Sequence, residues 1–315
     1  MSVGTEIQDS DYNAIRKKII AVMGNGGTNP LTDQSDATFG YGQTLVSSDV
    51  AAGQDITKAQ WDALRFDILN ARIHQDGVTP SIVSAVRGQP IRFGVAHPNT
   101  AYNTQSNTAI TNKFNLGAGQ FVIDTGTSQT RSTSWKTSVS ATATVTFGST
   151  DYARWFFNSG SKIRIYSTRS NGSATSQNTA WSNLLNSMGT VEFGGNTSPI
   201  GFYSLTNSNQ ILRTQTSTSP YSSNSFTVRV RSNIADNSNG GATQLIFTLS
   251  WVDGYIDPDV LLGRPGTFNP PDDGVDGDLS FTVEEQRASG ILQPSGTGAF
   301  IINRPSYSST AIVGT

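Results

Sequence analysis

Cysteine is absent from the chain, and charge is scarce. None of the 315 residues is cysteine, so disulfides, thiolate metal sites and cysteine nucleophiles are all excluded. Charged residues make up 14% of the chain and apolar residues 35%, and both fractions are low for a soluble globular protein. The remainder is rich in Ser, Thr, Asn and Gly, a composition typical of β-sheet surfaces and turns and common in proteins that work outside cells.

A basic surface and a long apolar run are missing as well. The formal net charge is −2 and the sequence pI is about 5.7, so there is no positive field to neutralise phosphates and no nucleic-acid partner is expected. No stretch approaches the ~18 apolar residues of a membrane-spanning helix. Residues 1–12 lack the cationic and apolar regions of a signal peptide, so we expect neither membrane insertion nor export by that route.

Apolar spacing predicts a helix near the beginning of the chain. Apolar side chains recur three and four residues apart between residues 12 and 23, which is the period of an α-helix. Asp9 or Ser10 is a candidate N-cap. The glycines of 24–27 end the helix, because glycine accepts the left-handed conformation that follows many helices. The turn-rich passage 28–54 then predicts an ordered loop.

A second helix follows this loop. Thr57 and Gln60 form a capping box, and the apolar pattern continues to about His74, with Gly77 closing the helix. Both helices carry apolar stripes too wide to be buried on one another alone. We therefore expect these stripes to provide assembly contacts or to anchor the subunit, with packing inside the chain as the alternative. The stripe residues are Tyr12, Ile15, Ile19, Trp61, Leu64 and Ile68.

Beyond about residue 80 the pattern changes to strands. Residues 135–147 alternate between apolar and polar, which predicts an antiparallel strand with one buried face that includes Thr137. Residues 225–232 repeat this alternation, with Phe226, Val228 and Val230 expected inward and Thr227, Arg229 and Arg231 expected towards solvent. Residues 243–254 are apolar on both faces and therefore predict a central strand that ends in a turn.

These patterns together predict the fold class and the domain organisation. We expect an α+β protein that is mainly β, in which an antiparallel, sandwich-like body follows an N-terminal two-helix region. The helical region spans 1–78 and the β-rich domain 79–315, with a sub-boundary near 195–220. The final strands are expected at 281–290 and 299–306.

Two segments share a helix–glycine–strand pattern. Residues 150–165 and 178–193 each read as a short helix ended by a glycine, with Asn-Ser before it, and then a strand. In each unit we expect aromatic or Leu side chains of the helix to pack beneath the strand that follows. The residues of the first turn motif are Trp155, Phe156, Phe157, Asn158 and Gly160.

Residues suited to catalysis are few and scattered. The two histidines, His74 and His97, are expected to have structural roles, the first because a helix C-terminus suits a partly positive imidazole. The chain has no nucleophile elbow, no HExxH and no P-loop. Glu192 and Asp124 are acids in apolar surroundings, the type that a glycan depolymerase would pair. We expect no enzymatic activity, with a depolymerase as the minor alternative.

An acidic cluster and three tyrosines are candidates for binding. The cluster has oxygen ligands at the density of a calcium loop, but it lacks the EF-hand spacing and the closing Glu, so a solvated loop is the preferred interpretation and no cofactor is expected. The cluster contains Asp272, Asp273, Asp276 and Asp278. Tyr203, Tyr221 and Tyr255 could stack on sugars, although packing of turns is the commoner role of such tyrosines.

Several motifs resemble a known family. Their residues are Tyr41-Gly42-Gln43, Trp61-x-x-Leu64, His74-Gln75 before Gly77, and the segment DYNAIRKKIIAVMGNG at 11–26. Together they resemble a recurrent module of structural proteins in tailed bacteriophages, most familiar from cyanophages and other marine phages. RWFFNSGSKIRI at 154–165 is similar to a Phe-Phe-Asn-Ser-Gly-Gly turn found further along many of the same proteins, with Ser161 in place of the second glycine.

The resemblance implies a structural component of the virion. Family members are tail, neck or fibre-associated proteins, and no catalytic residues can be carried over from them. A homo-oligomer with three-, six- or twelvefold symmetry is expected, in contact with other tail or neck proteins. Such a protein is made in the host cytoplasm and released by lysis, which fits the surface composition and the missing export signal. The alternative is a tail protein that binds host surface polysaccharide.

Overall fold

The chain divides into two compact units. The computed structural model describes residues 8–35, 38–86, 98–196, 200–256, 274–290, 300 and 302–314. Unit 1 comprises Met1–Val122, Ser149–Lys162 and Gln286–Arg304, and unit 2 comprises Ile123–Gly148, Ile163–Glu285 and Pro305–Thr315. The chain therefore passes between the units several times, and the division differs from the boundary expected at residue 78.

The described residues contain helices and strands in comparable amounts. The α-helices are α1 (Asp9–Met23), α2 (Lys58–Asp76), α3 (Pro98–Thr111), α4 (Thr150–Asn158) and α5 (Ser176–Met188), with a 3₁₀ turn at Phe202–Ser204. The strands are β1 (Thr28–Asn29), β2 (Gln34–Ser35), β3 (Phe121–Arg131), β4 (Ser138–Thr146), β5 (Lys162–Ser170), β6 (Val191–Phe193), β7 (Gln210–Thr216), β8 (Ser225–Ser232), β9 (Gln244–Val252), β10 (Asp278–Ala288), β11 (Ser306–Ser309) and β12 (Val313–Gly314). Among these residues no helix has the length and apolar character needed to cross a membrane.

Three helices form the core of unit 1. Helices α1, α2 and α3 contact one another in all three pairs. Edge-to-face ring contacts connect them, with centroids 5.2 Å apart for Tyr12 and Trp61 and 5.1 Å apart for Trp61 and Tyr102. Such aromatic pairs contribute about 0.5–1.5 kcal/mol beyond the area they bury. Helix α3 was not predicted, and it supplies the third member of this aromatic stack.

The apolar stripes of α1 and α2 are interior surfaces. The six stripe residues are at most 4% exposed, and they are Tyr12, Ile15, Ile19, Trp61, Leu64 and Ile68. The two helices cannot cover this width on each other, but the third helix packs against both. The structure therefore corrects the predicted assembly interface at these residues to a core within the chain.

The ends of α2 follow local signals closely, and those of α1 do so only in part, because Gly24 after α1 has φ −63° and is not left-handed as expected. In α2 the Thr57 hydroxyl accepts the main-chain N–H of Gln60, and the side-chain oxygen of Gln60 accepts the main-chain N–H of Thr57. Gly77 ends the helix with φ +72°. Both features were predicted. In α1 the N-cap is Gln8 rather than Asp9 or Ser10. The carboxylate of Asp11, three residues on, accepts the Gln8 N–H at 3.1 Å, so the cap moves one residue towards the chain start.

Part of the segment between these helices is held by side-chain hydrogen bonds, and its beginning carries the short antiparallel pair of β1 and β2 instead of loop alone. Asn13 donates to the Val50 carbonyl at 2.8 Å and accepts from the Val50 N–H at 3.0 Å. The buried carboxylate of Asp67 accepts the N–H groups of Val46 and Ser47 at 3.0 and 2.8 Å. Loop main chain without sheet partners needs such bonds, because an unpaired buried amide is costly.

Unit 2 is an antiparallel sandwich. One sheet has the order β11-β4-β9-β8-β7, with β12 also paired to β4, and the other has the order β3-β10-β5-β6. Inner-face rings meet between the sheets, with centroids 5.8 Å apart for Phe193 and Phe247 and 6.1 Å apart for Trp251 and Phe281. The predicted α+β class with a mainly β body is confirmed, and β9 is central between β4 and β8.

Some strand details differ from the expectations. Thr137 lies outside β4, is exposed and has φ +64°, so the strand begins at Ser138, three residues later than the alternation of 135–147 suggested. The hydroxyl of Thr227, expected to point to solvent, is buried and lies 3.0 Å from that of Thr214 on the neighbouring strand. Residues 302–305 are not a strand, and the last pairing begins at Ser306.

Candidate functional site

Three of the sequence motifs described above meet in unit 1. The Tyr41-Gly42-Gln43 segment, the His74-Gln75 pair at the end of α2 and the turn after α4 lie in contact with one another. We call this cluster the motif junction. It consists of Gly40, Tyr41, Gly42, His74, Gln75, Trp155, Asn158, Ser159, Gly160, Ser161 and Phe300.

Asn158 connects the turn to the 38–42 loop. Its side-chain amide, fully buried, donates to the carbonyls of Thr38 and Gly40 at 2.8 and 2.9 Å. One amide group thus satisfies two main-chain carbonyls of a segment whose N–H groups at Gly42 and Gln43 donate to Gly24 and Met23 at the end of α1. Because an unsatisfied buried acceptor costs about 1–3 kcal/mol, this contact fixes the loop on the turn.

Glycine at position 42 allows the same loop to approach α4. Gly42 has φ +72°, a conformation that other residues adopt with difficulty, and a Cβ atom there would overlap the indole ring of Trp155. The turn itself depends on Gly160, which has φ +80° and whose Cβ would lie 2.8 Å from the Phe114 carbonyl. At both positions the main chain passes so close to a neighbouring group that only glycine, which has no Cβ atom, fits.

His74 is a neutral hydrogen-bond donor in the middle of the junction. It is fully buried, and its Nε2 lies 2.7 Å from the Ser159 carbonyl, an acceptor that requires the proton to be on Nε2. The Phe300 ring stacks on the imidazole at 4.1 Å with an 11° angle between the planes. Burial lowers the pKa of His74 to about 4, so the ring is uncharged at neutral pH. Among the described residues Nδ1 has no hydrogen-bond partner.

Gln75 and Tyr41 connect the junction to α3. The Gln75 amide donates to the Tyr41 hydroxyl at 2.9 Å and to the Ala109 carbonyl at 2.8 Å. The Tyr41 hydroxyl donates in turn to the Lys113 carbonyl. Burial raises the pKa of Tyr41 well above its usual 10, so this group also stays neutral. The junction is therefore held by neutral groups, and its hydrogen bonds connect segments that are distant in sequence.

Ser161, the departure from the family pattern, has a role of its own. Its hydroxyl accepts the Ala288 N–H at 2.9 Å and lies 3.0 Å from the Ser159 hydroxyl. A glycine in this position would leave that buried amide without its acceptor. The serine thus adds a contact to the turn instead of weakening it.

The second helix–glycine–strand unit is in unit 2 and packs differently from the expectation. Its helix and strand are α5 and β6, and β6 pairs antiparallel with β5. However, α5 lies against β7 and β8. Its Trp181 meets Trp135 with ring centroids 4.8 Å apart and donates to Asp253 at 3.3 Å. The strongest contacts of α5 are therefore with β7 and β8 and not with the strand that it feeds.

The acidic cluster is only partly within the described residues. Asp272, Asp273 and also His97 lie outside them. Asp276 accepts from the Ser173 amide at 3.0 Å and from its hydroxyl at 2.7 Å, forms an ion pair with Arg169 at 3.0 Å and accepts from Asn178. The Ser173 hydrogen bonds are the main cause of a lowered Asp276 pKa. The other described member, Asp278, accepts from Asn171. No group of three or more potential metal-ligating side chains occurs in the described ranges.

The two acids considered for glycan cleavage are on strands at opposite edges of one sheet. Asp124 is on β3 and Glu192 on β6, which are the opposite edges of the four-stranded sheet. Three strand spacings place them at least ~14 Å apart, whereas a glycosidase pair requires about 5–9.5 Å. Glu192 instead lies 3.6 Å from Arg164, whose other contact is Glu284 at 2.6 Å. The proposed acid pair is therefore not assembled.

The tyrosines considered for sugar stacking pack on neighbouring rings. Tyr221 and Tyr255 contact each other with centroids 4.5 Å apart, and Tyr203 meets Phe202 at 5.1 Å. The loops that carry Tyr221 and Tyr255 are tied together, because Asn224 accepts the Tyr255 N–H at 2.9 Å. These contacts are those of turn-packing residues.

Comparison with known proteins gives no match of any of three kinds: no family model, no curated protein and no solved structure is similar to this chain.

The close approach at Gly42 can be tested against a matched glycine. Gly53 has a similar φ of +76°, but nothing lies within 4 Å of a Cβ there, so Gly53→Ala measures backbone strain alone, about 1–2 kcal/mol. We expect Gly42→Ala to lower the free energy of unfolding by a further ~1–3 kcal/mol, because the new methyl must displace Trp155. Chemical denaturation of both variants measures the difference. Equal losses would contradict the proposed contact.

The buried imidazole predicts a pH dependence of stability. The unfolded chain binds a proton at His74 near pH 6.5, whereas the folded chain does so only near pH 4. Stability from this group is therefore fully present above about pH 6.5 and is lost as the pH falls towards 4. Between about pH 7.5 and pH 5 we expect a loss of roughly 2 kcal/mol from this residue.

The matched variant is His74→Gln, which keeps a donor towards Ser159 and removes the titration. Asp67, whose pKa is raised by burial, contributes a slope of the opposite sign, but it contributes equally to both proteins and cancels in the comparison. The measurement is the free energy of unfolding at several pH values. If the wild type and the variant lost stability in parallel on acidification, the neutral, buried state of His74 would be refuted.

Proposed function

We propose that the chain is a structural component of a tailed-bacteriophage virion, in the tail or neck appendage apparatus, and that it acts through packing of subunits. The observation that supports this proposal is the motif junction. Two segments that resemble a phage module, and a third that resembles a turn found further along many of the same proteins, are parts of one contact cluster in unit 1. A chance match of short motifs would have no reason to bring them together.

Each family-like residue in the junction has a physical reason for its identity. Asn158 satisfies two loop carbonyls at once. Gly42 leaves room for an indole ring. His74 and Gln75 each donate from the end of one helix to a different segment. The residue types that carry the resemblance are thus also the ones that this cluster of contacts requires, which supports the proposal.

The assembly surface must lie outside the α1 and α2 stripes. Those stripes are buried inside unit 1, so subunit contacts require other elements. Sheet edges are natural candidates, because an edge strand presents unpaired N–H and C=O groups that another chain can complete. The proposal therefore keeps self-association and moves its location from helices to strands.

The oligomeric state of the purified full chain tests the proposal. With a subunit mass of 33.6 kDa, we expect light scattering after gel filtration to give a mass of three, six or twelve subunits, the closed symmetries of phage appendages. Immunogold labelling of intact particles should place the protein on the tail or neck. A monomer at every concentration, with no label on particles, would contradict the proposal.

A further inference from the structure

The last strands of unit 2 close one side of the sandwich. Residues 305–314, here called the closing segment, run antiparallel along β4, with Ser306 opposite Thr146 and Val313 opposite Ser140. Between β11 and β12 the pairing continues through Thr310, whose N–H donates to the Thr142 carbonyl at 2.9 Å. The segment thus completes the edge of the six-stranded sheet over the length of β4.

The opposite sheet holds the same segment through side chains of β3. The hydroxyls of Thr127 and Ser309 are 2.7 Å apart, and Gln129 donates to Ser309 at 3.1 Å. Arg131 donates to the Ile312 carbonyl at 3.2 Å. The closing segment therefore bridges the edge strands of both sheets, and its contacts are mostly main-chain and neutral polar ones.

The closing segment lies in a site formed by β3, β4 and Glu285, here called the seat. Tyr307 makes this seat specific for the segment. Its hydroxyl donates to the carboxylate of Glu285 at 2.7 Å, and Glu285 is fully buried. The ring lies against Gly126, where any Cβ would overlap it. A glycine inside a strand marks such a close approach. If the segment left, a buried carboxylate would lose a donor, so the seat favours an occupant with a tyrosine in this register.

The chain that leads to the closing segment does not belong to unit 2. Residues Gln286–Arg304 are part of unit 1, and only Pro305 onwards returns to unit 2. The segment is therefore joined to its seat by non-covalent contacts and to the rest of unit 2 only through the other unit. Connections of this kind make exchange of identical strands between copies inexpensive, because the same contacts form in either arrangement.

We propose that the closing segment of one copy occupies the seat of a second copy in the assembled protein, so that strand exchange is the subunit contact. The seat is formed by β3, β4 and Glu285, and its partner is residues 305–314 of a neighbouring identical chain. This inference rests on the proposed function, since it names the contact through which the subunits of the structural protein join.

The absence of cysteine allows a direct test in the full chain. Thr127→Cys and Ser309→Cys place two thiols where hydroxyls are now 2.7 Å apart. We co-express one copy carrying only Thr127→Cys with a differently tagged copy carrying only Ser309→Cys, and oxidise the purified protein. Exchange predicts a covalent dimer that contains both tags on a non-reducing gel. The variants Thr127→Cys and Ser309→Cys expressed alone are the controls for random cross-linking.

A double variant with both substitutions in one chain completes the experiment. Exchange predicts oxidised species of two or more linked chains, and occupation by the own segment predicts a cross-linked monomer. As a second measurement, Gly126→Ala should expel Tyr307 and shift light scattering from oligomer to monomer. Gly314→Ala, with open space around its Cβ, should leave the oligomer intact.

The outcomes separate this inference from the proposed function. Covalent dimers carrying both tags support strand exchange. Cross-linked monomers within an oligomer overturn the exchange and leave the structural role standing. Cross-linked monomers from a protein that is monomeric in light scattering overturn both. The cysteine cross-linking test does not use the Gly126→Ala variant. If that variant misfolds, cross-linking alone still decides whether the strands are exchanged.

Discussion

The amide of Asn158 is the interaction on which the rest of unit 1 depends. The 38–42 loop has no strand or helix to satisfy its carbonyls, and buried main-chain acceptors must be paired. One side chain supplies both donors. Once the loop is fixed there, Gly42 must pass the ring of Trp155, and Tyr41 is placed for its hydrogen bond with Gln75. The stacked pair of His74 and Phe300 then fills the centre of the junction.

The elements that sequence alone predicted are those with local signals. Helix α2 begins at the Thr57 capping box and ends at Gly77, and β9 is apolar on both faces. In each case the residues of the element itself were enough to predict it. Helix α3 has no such signal, since its residues are mostly Ser, Thr and Asn. Its helical state depends on packing against α1 and α2, and tertiary contacts of this kind override weak propensity. Because the sequence did not predict α3, the apolar stripes of α1 and α2 seemed to need a partner chain.

The residues of the candidate site were recognisable, but their pairing was not. The glycines and the Asn-Ser-Gly turn stand out because each implies a special backbone conformation. Nothing in the sequence indicates that Asn158 reaches Gly40, 118 residues away, or that His74 meets Ser159, 85 residues away. Such pairs are fixed by the topology that brings the segments together. For the same reason the Tyr307 contact to buried Glu285 could not be predicted from a Ser-rich stretch of chain.

Neutral groups in the motif junction connect the composition to the proposed role. Ion pairs on a surface weaken with salt, whereas the amide, hydroxyl and imidazole contacts of the junction carry little net charge to screen. Buried hydrogen bonds with strict geometry also favour one arrangement over others, because a partly satisfied network is costly. A chain with 14% charged residues can in this way hold long-range contacts that change little with the salt concentration of the medium. That property fits the structural role proposed above.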